Sequence, residues 1–136
     1  MYDLDKQIGY KLRLAQQRHI EIFNRHMPDI TPMQFSVMVR LREAQKLSQN
    51  ELGRSVSMDA ATTKGVVDRL IDRGWLQSRP CENDKRRRNI SLTARGKEFI
   101  DYAVMAATEV TTKTMQPLND AEQRQLLMLL DRISTE

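Results

Sequence analysis

The chain has 136 residues, of which 40% are hydrophobic and 29% charged, and its formal net charge is +4. This length suits one domain with or without an extension, and no apolar run approaches the roughly 18 residues that a membrane-spanning helix needs. The N-terminus lacks the basic and then apolar layout of a signal peptide, and a single cysteine cannot form an internal disulfide. We therefore expect a cytoplasmic protein with no membrane partner.

The positive charge is concentrated in the middle of the chain. Residues 54–96 contain ten Lys/Arg and five Asp/Glu, whereas residues 97–136 contain four and seven. A basic segment of this kind can be an ordinary solvated surface, but it is also the electrostatic footprint of a nucleic-acid-binding protein.

Helix-start signals divide the first half of the chain. Apolar residues that recur every three or four positions predict a first helix over 5–26. Thr31 and Gln34 have the spacing of a capping box, in which the two side chains and backbones exchange hydrogen bonds, and they open the second helix. Ser48 and Glu51 repeat this pattern and open a short third helix.

The centre of the chain predicts a DNA-binding unit. Asp59 is a good N-cap for a fourth helix, and Gly74 suits a left-handed position at its end. The partly alternating runs 75–79 and 89–93 predict two strands, and the segment between them carries four consecutive cations at 85–88. A helix followed by a hairpin with a basic tip is a winged helix-turn-helix, so we predict a mainly α fold of six helices and a β-hairpin wing.

The terminal helices predict a homodimer. The fifth helix, over 93–116, would be about 35 Å long at 1.5 Å per residue and apolar along one side, and a third capping box at Asn119 opens the last helix. These helices carry more apolar surface than a small winged helix can cover, although they could instead fold back on their own chain. We expect residues 1–30 and 93–136 to form the dimer and residues 31–92 to form the DNA-binding domain.

Three polar groups of residues are candidates for DNA contact. Residues near the third helix would bind phosphates, the first turns of the fourth helix would meet base edges or phosphates, and the basic tip would reach phosphates or the minor groove. The alternative is an ordinary polar surface. The candidates are Ser48, Gln49, Asn50 and Arg54; Ala61, Thr62, Thr63 and Lys64; and Lys85, Arg86, Arg87 and Arg88.

The wing carries a family resemblance. Residues 84–96 resemble the wing signature of the MarR family of bacterial transcription regulators, an Asp-x-Arg motif followed by Val/Ile-x-Leu-Thr-x-x-Gly, and residues 70–76 resemble the usual end of its recognition helix. The resemblance extends from residue 8 to residue 133. It implies that Asp84 orients Arg86, that Arg86 enters the minor groove, and that the dimer is a ligand-responsive repressor of a pseudo-palindromic operator in double-stranded DNA.

Shorter segments resemble the branch of this family that regulates nicotinate and related aromatic-acid catabolism. They are residues 7–9, 17–19, 48–54 and 58–62. In the family, small aromatic acids bind between the dimer helices and the DNA-binding lobe, which implies a small aromatic carboxylate effector. The residues that we expect to line its site are His19, Phe23, Met38 and Arg42, although a histidine there could equally be a packed core residue.

Other functions are less well supported by the sequence. His19 and His26 are seven residues apart with no cysteine beside them, so we expect no metal, and no cofactor motif or catalytic motif is present, so we expect no enzyme. Cys81 lies near the wing and could sense redox state, since Arg79 and Lys85 would lower its thiol pKa while Glu82 and Asp84 oppose this. A DNA-binding architectural protein without ligand response is the remaining alternative.

Overall fold

The computed structural model describes residues 1–135, and most of them are helical. A 3₁₀ turn at Leu4–Lys6 precedes the first α-helix. The elements are α1 (Ile8–His26), α2 (Pro32–Ala44), β1 (Lys46–Ser48), α3 (Gln49–Ser55), α4 (Ala60–Asp72), β2 (Leu76–Pro80), β3 (Arg88–Leu92), α5 (Ala94–Met115) and α6 (Asp120–Ser134). The six predicted helices and the hairpin are all present, which confirms the mainly α winged helix-turn-helix architecture.

The helix starts follow from local sequence. Complete capping boxes begin α2 at Thr31, α3 at Ser48 and α6 at Asn119. The carboxylate of Asp59 accepts a hydrogen bond from the backbone N–H of Thr62 at 2.7 Å and caps α4. Each cap satisfies N–H groups that the helix itself leaves without a partner. All four predicted caps are therefore confirmed.

The sheet contains one strand that the sequence did not predict. β1, β3 and β2 lie in that order and pair antiparallel, with Ile90 of β3 opposite Leu47 on one side and Ser78 on the other. Strand β1 has three residues, too few to show an alternating pattern. It is defined by its pairing with β3, so the wing hairpin is joined directly to the chain segment that leads into α3.

The chain divides into two compact units. One contains Met1–His26 and the chain from Ala107 onward, and the other contains Met27–Ala106. The second unit includes the three strands and helices α2, α3 and α4. Its large apolar side chains with at most 2% exposure come from the helices and both hairpin strands, and they are Val37, Met38, Leu41, Leu52, Val67, Leu70, Leu76, Ile90 and Ile100.

A tight junction links the end of α4 to the start of α5. Gly74 has φ +80°, as its predicted left-handed position requires. Trp75 stacks on Phe99 with ring centroids 3.9 Å apart, and the guanidinium of Arg73 lies over the Trp75 ring, 3.8 Å from its centroid. A Cβ on Gly96 would come within 2.0 Å of the Trp75 carbonyl oxygen, so only glycine fits where α5 passes this turn.

Large apolar side chains are exposed on the terminal helices. In the single chain, Ile8 is 64% exposed and Ile133 is 63% exposed, and further exposed apolar residues are Leu12, Leu14, Leu126, Leu127, Met128 and Leu129. Such residues are normally covered in a folded protein when they occur as a group.

No helix within residues 1–135 combines the length and the hydropathy required to cross a membrane.

Candidate DNA-binding interface and effector-site residues

Helices α3 and α4 form the helix-turn-helix. They approach closely at Gly53, where an added Cβ would lie 3.0 Å from the Thr63 hydroxyl oxygen and 3.2 Å from the Met58 carbonyl oxygen. Ser57, in the turn between the helices, has φ +56°. The small residue and the left-handed turn let the second helix cross the first at short distance, which fixes the direction in which α4 projects.

The first turns of α4 are only partly exposed. Ala61 and Lys64 are exposed and Thr62 is half-buried, as expected for candidate DNA contacts. The ammonium of Lys64 pairs with Asp68 one turn later at 2.7 Å. Gly65 has only an arginine side chain near its missing Cβ, at 3.4 Å, so packing against a neighbouring helix does not require glycine there.

The expectation for Thr63 is wrong. Its side chain is 0% exposed, and its hydroxyl donates to the Asp59 carbonyl oxygen at 2.8 Å. A side chain with no exposed surface cannot reach a base edge. Thr63 shares the buried stripe of α4 with Val66, Val67 and Leu70, at the helical spacing i, i+3, i+4 and i+7. This spacing predicts burial of Thr63, but its polar side chain suggested an exposed position.

The structure also differs from the prediction that the Ser48 side chain binds a phosphate. Its side chain is 6% exposed, its hydroxyl accepts from the Glu51 N–H at 3.2 Å, and its own N–H donates to the Glu51 carboxylate at 3.0 Å. The hydroxyl is thus committed to the cap of α3, although Ser48 also borders the basic concavity between α3 and the wing. Gln49 is half-buried, and Asn50 and Arg54 are exposed.

The remaining residues border a basic concavity between α3 and the wing. Its lining includes Gln49, Asn50, Arg54, Arg86, Arg87 and Arg88, all of them within one compact unit. A cleft lined by one sign of charge attracts the opposite sign. The structure therefore brings the predicted phosphate-binding residues of α3 and the cations of the wing to the same surface.

Asp84 and Arg86 are in contact within the wing loop, residues 81–87. One carboxylate oxygen of Asp84 accepts from the Arg86 backbone N–H at 3.0 Å and lies 3.4 Å from its Nε. The Arg86 side chain is 94% exposed. The pair that the family resemblance implied is therefore present, and it holds an extended guanidinium at the tip of the wing.

The other wing arginines have different partners. Arg88 donates to the hydroxyl of Ser78 at 2.7 Å and to its carbonyl oxygen at 2.9 Å, which fastens it to the neighbouring strand. Arg87 lies 3.7 Å from the carboxylate of Glu51 at the start of α3. Lys85 is exposed. In the sequence, only the family resemblance distinguishes one of these four cations, Arg86, whereas the contacts in the structure distinguish Arg86, Arg87 and Arg88 from one another.

Two helix caps carry carboxylates with lowered pKa values. The backbone N–H of Ser48 is the main cause of the lowered pKa of Glu51, and Arg87 adds to the effect. Thr62, through its backbone N–H, lowers the pKa of Asp59 in the same way. A hydrogen bond donated to a carboxylate favours its charged form, so both groups are ionised at neutral pH.

The predicted effector residues are divided between the two units. In the first, His19 is half-buried, with its Nδ1 2.8 Å from the Thr114 hydroxyl oxygen, and Phe23 is 4% exposed. Arg18 donates to the carbonyl oxygens of Thr114 and Lys113 at 2.8 and 3.0 Å and so caps the end of α5. The roles of Arg18 and Thr114 were not recognised from the sequence.

In the second unit, Met38 and Arg42 differ in exposure. Met38 is 0% exposed, so in this single-chain structure it is a core residue rather than an open pocket wall. Arg42 Nε lies 2.8 Å from the Asp101 carboxylate, and both side chains are nearly half exposed. A small cavity next to Arg42 is also lined by Thr93 and Lys97. Asp101 was not recognised from the sequence, because nothing local links it to α2.

Cys81 begins the wing loop and is half-buried. The backbone N–H groups of Asn83 and Asp84 are the main cause of the lowered pKa of its thiol, and the nearby Arg87 contributes. Arg79 and Lys85, which we expected to lower this pKa, are not among its causes.

Within residues 1–135, no three His, Cys, Asp or Glu side chains are grouped as a metal site would require.

Comparison with known proteins identifies the relatives of this chain. Residues 30–87 match the MarR family. The chain is 34% identical to the HTH-type transcriptional repressor NicR of Pseudomonas putida over 97% of its length and 85% of that protein. Its structure matches Bordetella bronchiseptica BpsR, whose DNA binding is regulated by 6-hydroxynicotinic acid, with a TM-score of 0.96, 32% identity and coverage of 100% and 99%. It also matches an Escherichia coli MarR variant in complex with operator DNA, with a TM-score of 0.87, 26% identity and coverage of 93% and 92%.

Proposed function

The chain belongs to the MarR family, and from this membership we propose that it is a ligand-responsive transcriptional repressor. It binds a pseudo-palindromic operator in double-stranded DNA as a homodimer, and a small aromatic carboxylate releases it. The observation that carries the proposal is the exposed Arg86, held by Asp84 at the wing tip, beside the basic concavity of α3. We propose a cytoplasmic regulator and not an enzyme.

Each part of the winged helix has a separate task in the proposed complex. Helix α4 enters the major groove with its first turns, where Ala61 can touch a thymine methyl group and Thr62 and Lys64 can reach base edges or phosphates. Gln49, Asn50 and Arg54 bind phosphates and fix the register. Arg86 and Lys85 reach the adjacent minor groove, whose negative potential attracts cations.

A second copy of the chain is the proposed cover for the terminal helices. The exposed apolar side chains of α1 and α6 are too many for a stable monomer surface, and they fall within residues 1–30 and 93–136, which we assign to the dimer. Residues 31–92 then form the DNA-binding domain of each subunit. The two α4 helices should be about 34 Å apart, one turn of B-DNA, because a dimer reads two half-sites on one face. A monomer at micromolar concentration in light scattering would rule out this assembly.

The proposed effector is an aromatic acid, by analogy with BpsR, whose DNA binding is regulated by 6-hydroxynicotinic acid. We assign His19 and Phe23 in one unit, and Met38 and Arg42 in the other, to the response. Imidazole and guanidinium groups can pair with a ligand carboxylate, and the apolar side chains of Phe23 and Met38 suit an aromatic ring. Because Met38 is fully buried and Arg42 pairs with Asp101, binding must change the surroundings of both. A ligand can release the operator only if it binds the DNA-free arrangement more tightly.

The proposal is tested by adding nicotinate, 6-hydroxynicotinate and benzoate to the protein with and without operator DNA. At least one of these acids should raise the melting temperature and weaken operator binding at the same concentration. His19→Ala should reduce both responses and leave ligand-free operator binding intact. His26→Ala is the matched control, since the hydrogen bond described for His26 lies within its own helix, to the Ile22 carbonyl oxygen.

Three results would contradict different parts of the proposal. If operator and unrelated DNA bind with similar affinity, the protein is an architectural DNA-binding protein. If none of the acids changes melting temperature or operator affinity, the effector belongs to another chemical class. If His19→Ala responds as the unmodified protein does, the effector site does not include His19.

A thiol response through Cys81 is the second candidate, because its lowered pKa favours the reactive thiolate. Mild peroxide would then weaken operator binding in the unmodified protein and leave Cys81→Ser unaffected. Equal behaviour of the two proteins would exclude this function.

A further inference from the structure

One carboxylate oxygen connects the cap of α3 to the wing. Oε1 of Glu51 accepts the Ser48 N–H at 3.0 Å, and the same atom lies 3.7 Å from Nη2 of Arg87. The capping hydrogen bonds restrict the carboxylate to one orientation, so Arg87 meets a fixed partner rather than a mobile one. Glu51 is therefore anchored in the helix-turn-helix while it contacts the wing loop.

The backbone of Arg87 makes two hydrogen bonds within the wing loop. Its carbonyl oxygen accepts from the Cys81 N–H at 2.8 Å, and its own N–H donates to the Asp84 carbonyl oxygen at 3.0 Å. Both backbone groups of this residue thus hold the loop together. A restraint on the Arg87 side chain acts on the whole loop, including the neighbouring Arg86.

The other wing contacts do not provide this restraint. Asp84 and Arg86 lie in the same loop, so their pairing orients a side chain but leaves the loop free to move as a body. Arg88 and Ser78 join the two strands near the end that is next to the loop. Among the ion pairs of residues 1–135, the contact between Glu51 and Arg87 is the one that joins the loop to α3.

We propose that Glu51 is a positioning residue for the wing, which acts through Arg87 to hold Arg86 at the height and angle needed for groove contact. The inference rests on the proposed DNA-binding function and adds a determinant of its specificity. A wing that must enter a narrow groove depends on its position relative to α4 more than a phosphate contact does. Loss of the restraint should therefore reduce discrimination between DNA sequences more than it reduces overall attraction to DNA.

The size of the effect is bounded by the exposure of the pair. The two side chains are 59% and 46% exposed, and exposed pairs contribute little because water and salt screen them. We therefore expect a change of about two- to fivefold in an equilibrium constant rather than loss of binding.

The test uses Glu51→Gln, because glutamine also completes a capping box and the variant removes only the charge. Glu122→Gln is the matched control: Glu122 occupies the same position in the capping box of α6, where it accepts the Asn119 N–H at 3.0 Å. Arg87→Gln removes the positive partner of the pair and leaves the cap of α3 unaltered. All three proteins are compared with the unmodified chain.

Millisecond hydrogen exchange of the DNA-free protein tests the positioning directly. Glu51→Gln and Arg87→Gln should each speed exchange at the N–H groups of Cys81 and Arg87 by about two- to fivefold, and Glu122→Gln should not. Unchanged exchange in both variants would overturn the proposal, whatever the function of the protein.

Competition binding with operator and unrelated DNA tests the consequence. Glu51→Gln should lower the ratio of operator affinity to unrelated-DNA affinity by about two- to fivefold, and it should have no further effect on that ratio in an Arg87→Gln background. If Glu51→Gln instead tightens binding to both DNAs equally, the carboxylate is only a repulsive charge and the proposal is wrong. If the unmodified protein itself shows no preference, the proposed function fails, while the exchange experiment still decides whether Glu51 restrains the wing.

Discussion

Substitution of Arg86 provides the sharpest test of the proposed DNA interface. The Arg86 side chain is 94% exposed and its side-chain partner is the adjacent Asp84, so Arg86→Gln removes a charge without removing a contact to the rest of the fold. We expect the free energy of unfolding to change by less than about 0.5 kcal/mol, as for surface substitutions in general. Operator binding should weaken, because the wing loses the cation that we place in the minor groove.

The expected change in salt dependence follows from the number of wings. Each phosphate neutralised on duplex DNA contributes about 0.9 to the slope of log affinity against log salt, so two wings contribute about 1.8. The ratio of the operator affinity of the unmodified protein to that of Arg86→Gln should therefore be roughly tenfold smaller at about 200 mM salt than at about 50 mM. Fluorescence anisotropy with labelled operator at four or five salt concentrations measures both slopes.

Arg88→Gln is the matched control for this experiment. It removes the same charge from the same hairpin, but it also removes two hydrogen bonds to Ser78, at 2.7 and 2.9 Å. We expect it to lower the free energy of unfolding by about 1 kcal/mol in a denaturant titration. The reasoning is refuted if Arg86→Gln leaves the salt slope unchanged, or if the two variants lose stability equally.

Three further predictions test the fold around the interface. Thr63→Val should lower the free energy of unfolding by about 1 kcal/mol in denaturant titration, since a buried hydrogen bond to Asp59 is lost, and should leave operator affinity unchanged; a large loss of affinity would restore Thr63 as a DNA contact. Gly96→Ala should lower the free energy of unfolding by about 3 kcal/mol, or prevent folding, because the added Cβ would overlap the Trp75 carbonyl oxygen. Thermal unfolding followed by circular dichroism measures the loss of stability. Asp59 has a lowered pKa in the folded state, so its contribution to stability is present above the unfolded-state pKa and is lost as pH falls through the lower folded value. Asp59→Asn retains a capping side chain that does not titrate, so it should lose less stability than the unmodified protein on acidification below about pH 4, and an equal loss would argue against the cap as the source.

The features that the sequence predicted correctly are those encoded by neighbouring residues. A capping box needs two side chains three positions apart, and the boxes that begin at Thr31, Ser48 and Asn119 all formed. The contact between Asp84 and Arg86, which the family resemblance implied, spans two positions and also formed. Such interactions depend on local backbone geometry, which tertiary packing selects but does not create.

The features that sequence analysis missed depend on residues distant in the chain. Strand β1 exists because three residues pair with β3, and no property of those residues alone distinguishes them from a loop. The partner of Arg42 is Asp101, and the partner of Arg88 is Ser78. Thr63 is different, because its helical spacing with Val66 and Leu70 indicated burial while its polar side chain suggested exposure. The spacing predicted burial correctly, since a buried hydroxyl can donate a hydrogen bond to a carbonyl oxygen on the preceding turn of the same helix.

The wing shows why a count of charges is a poor measure of a DNA-binding surface. Its four consecutive cations have equal charge, but Arg88 is fastened to Ser78, Arg87 faces Glu51, and only Lys85 and Arg86 project without a tie to a neighbouring strand or helix among the described contacts. A cation already paired must give up that partner before it neutralises a phosphate, so its net gain on DNA is smaller than that of an exposed one. We expect the paired arginines to contribute instead to the shape of the wing. We therefore propose that different members of one basic run supply affinity and position, and that a sequence-specific wing needs both.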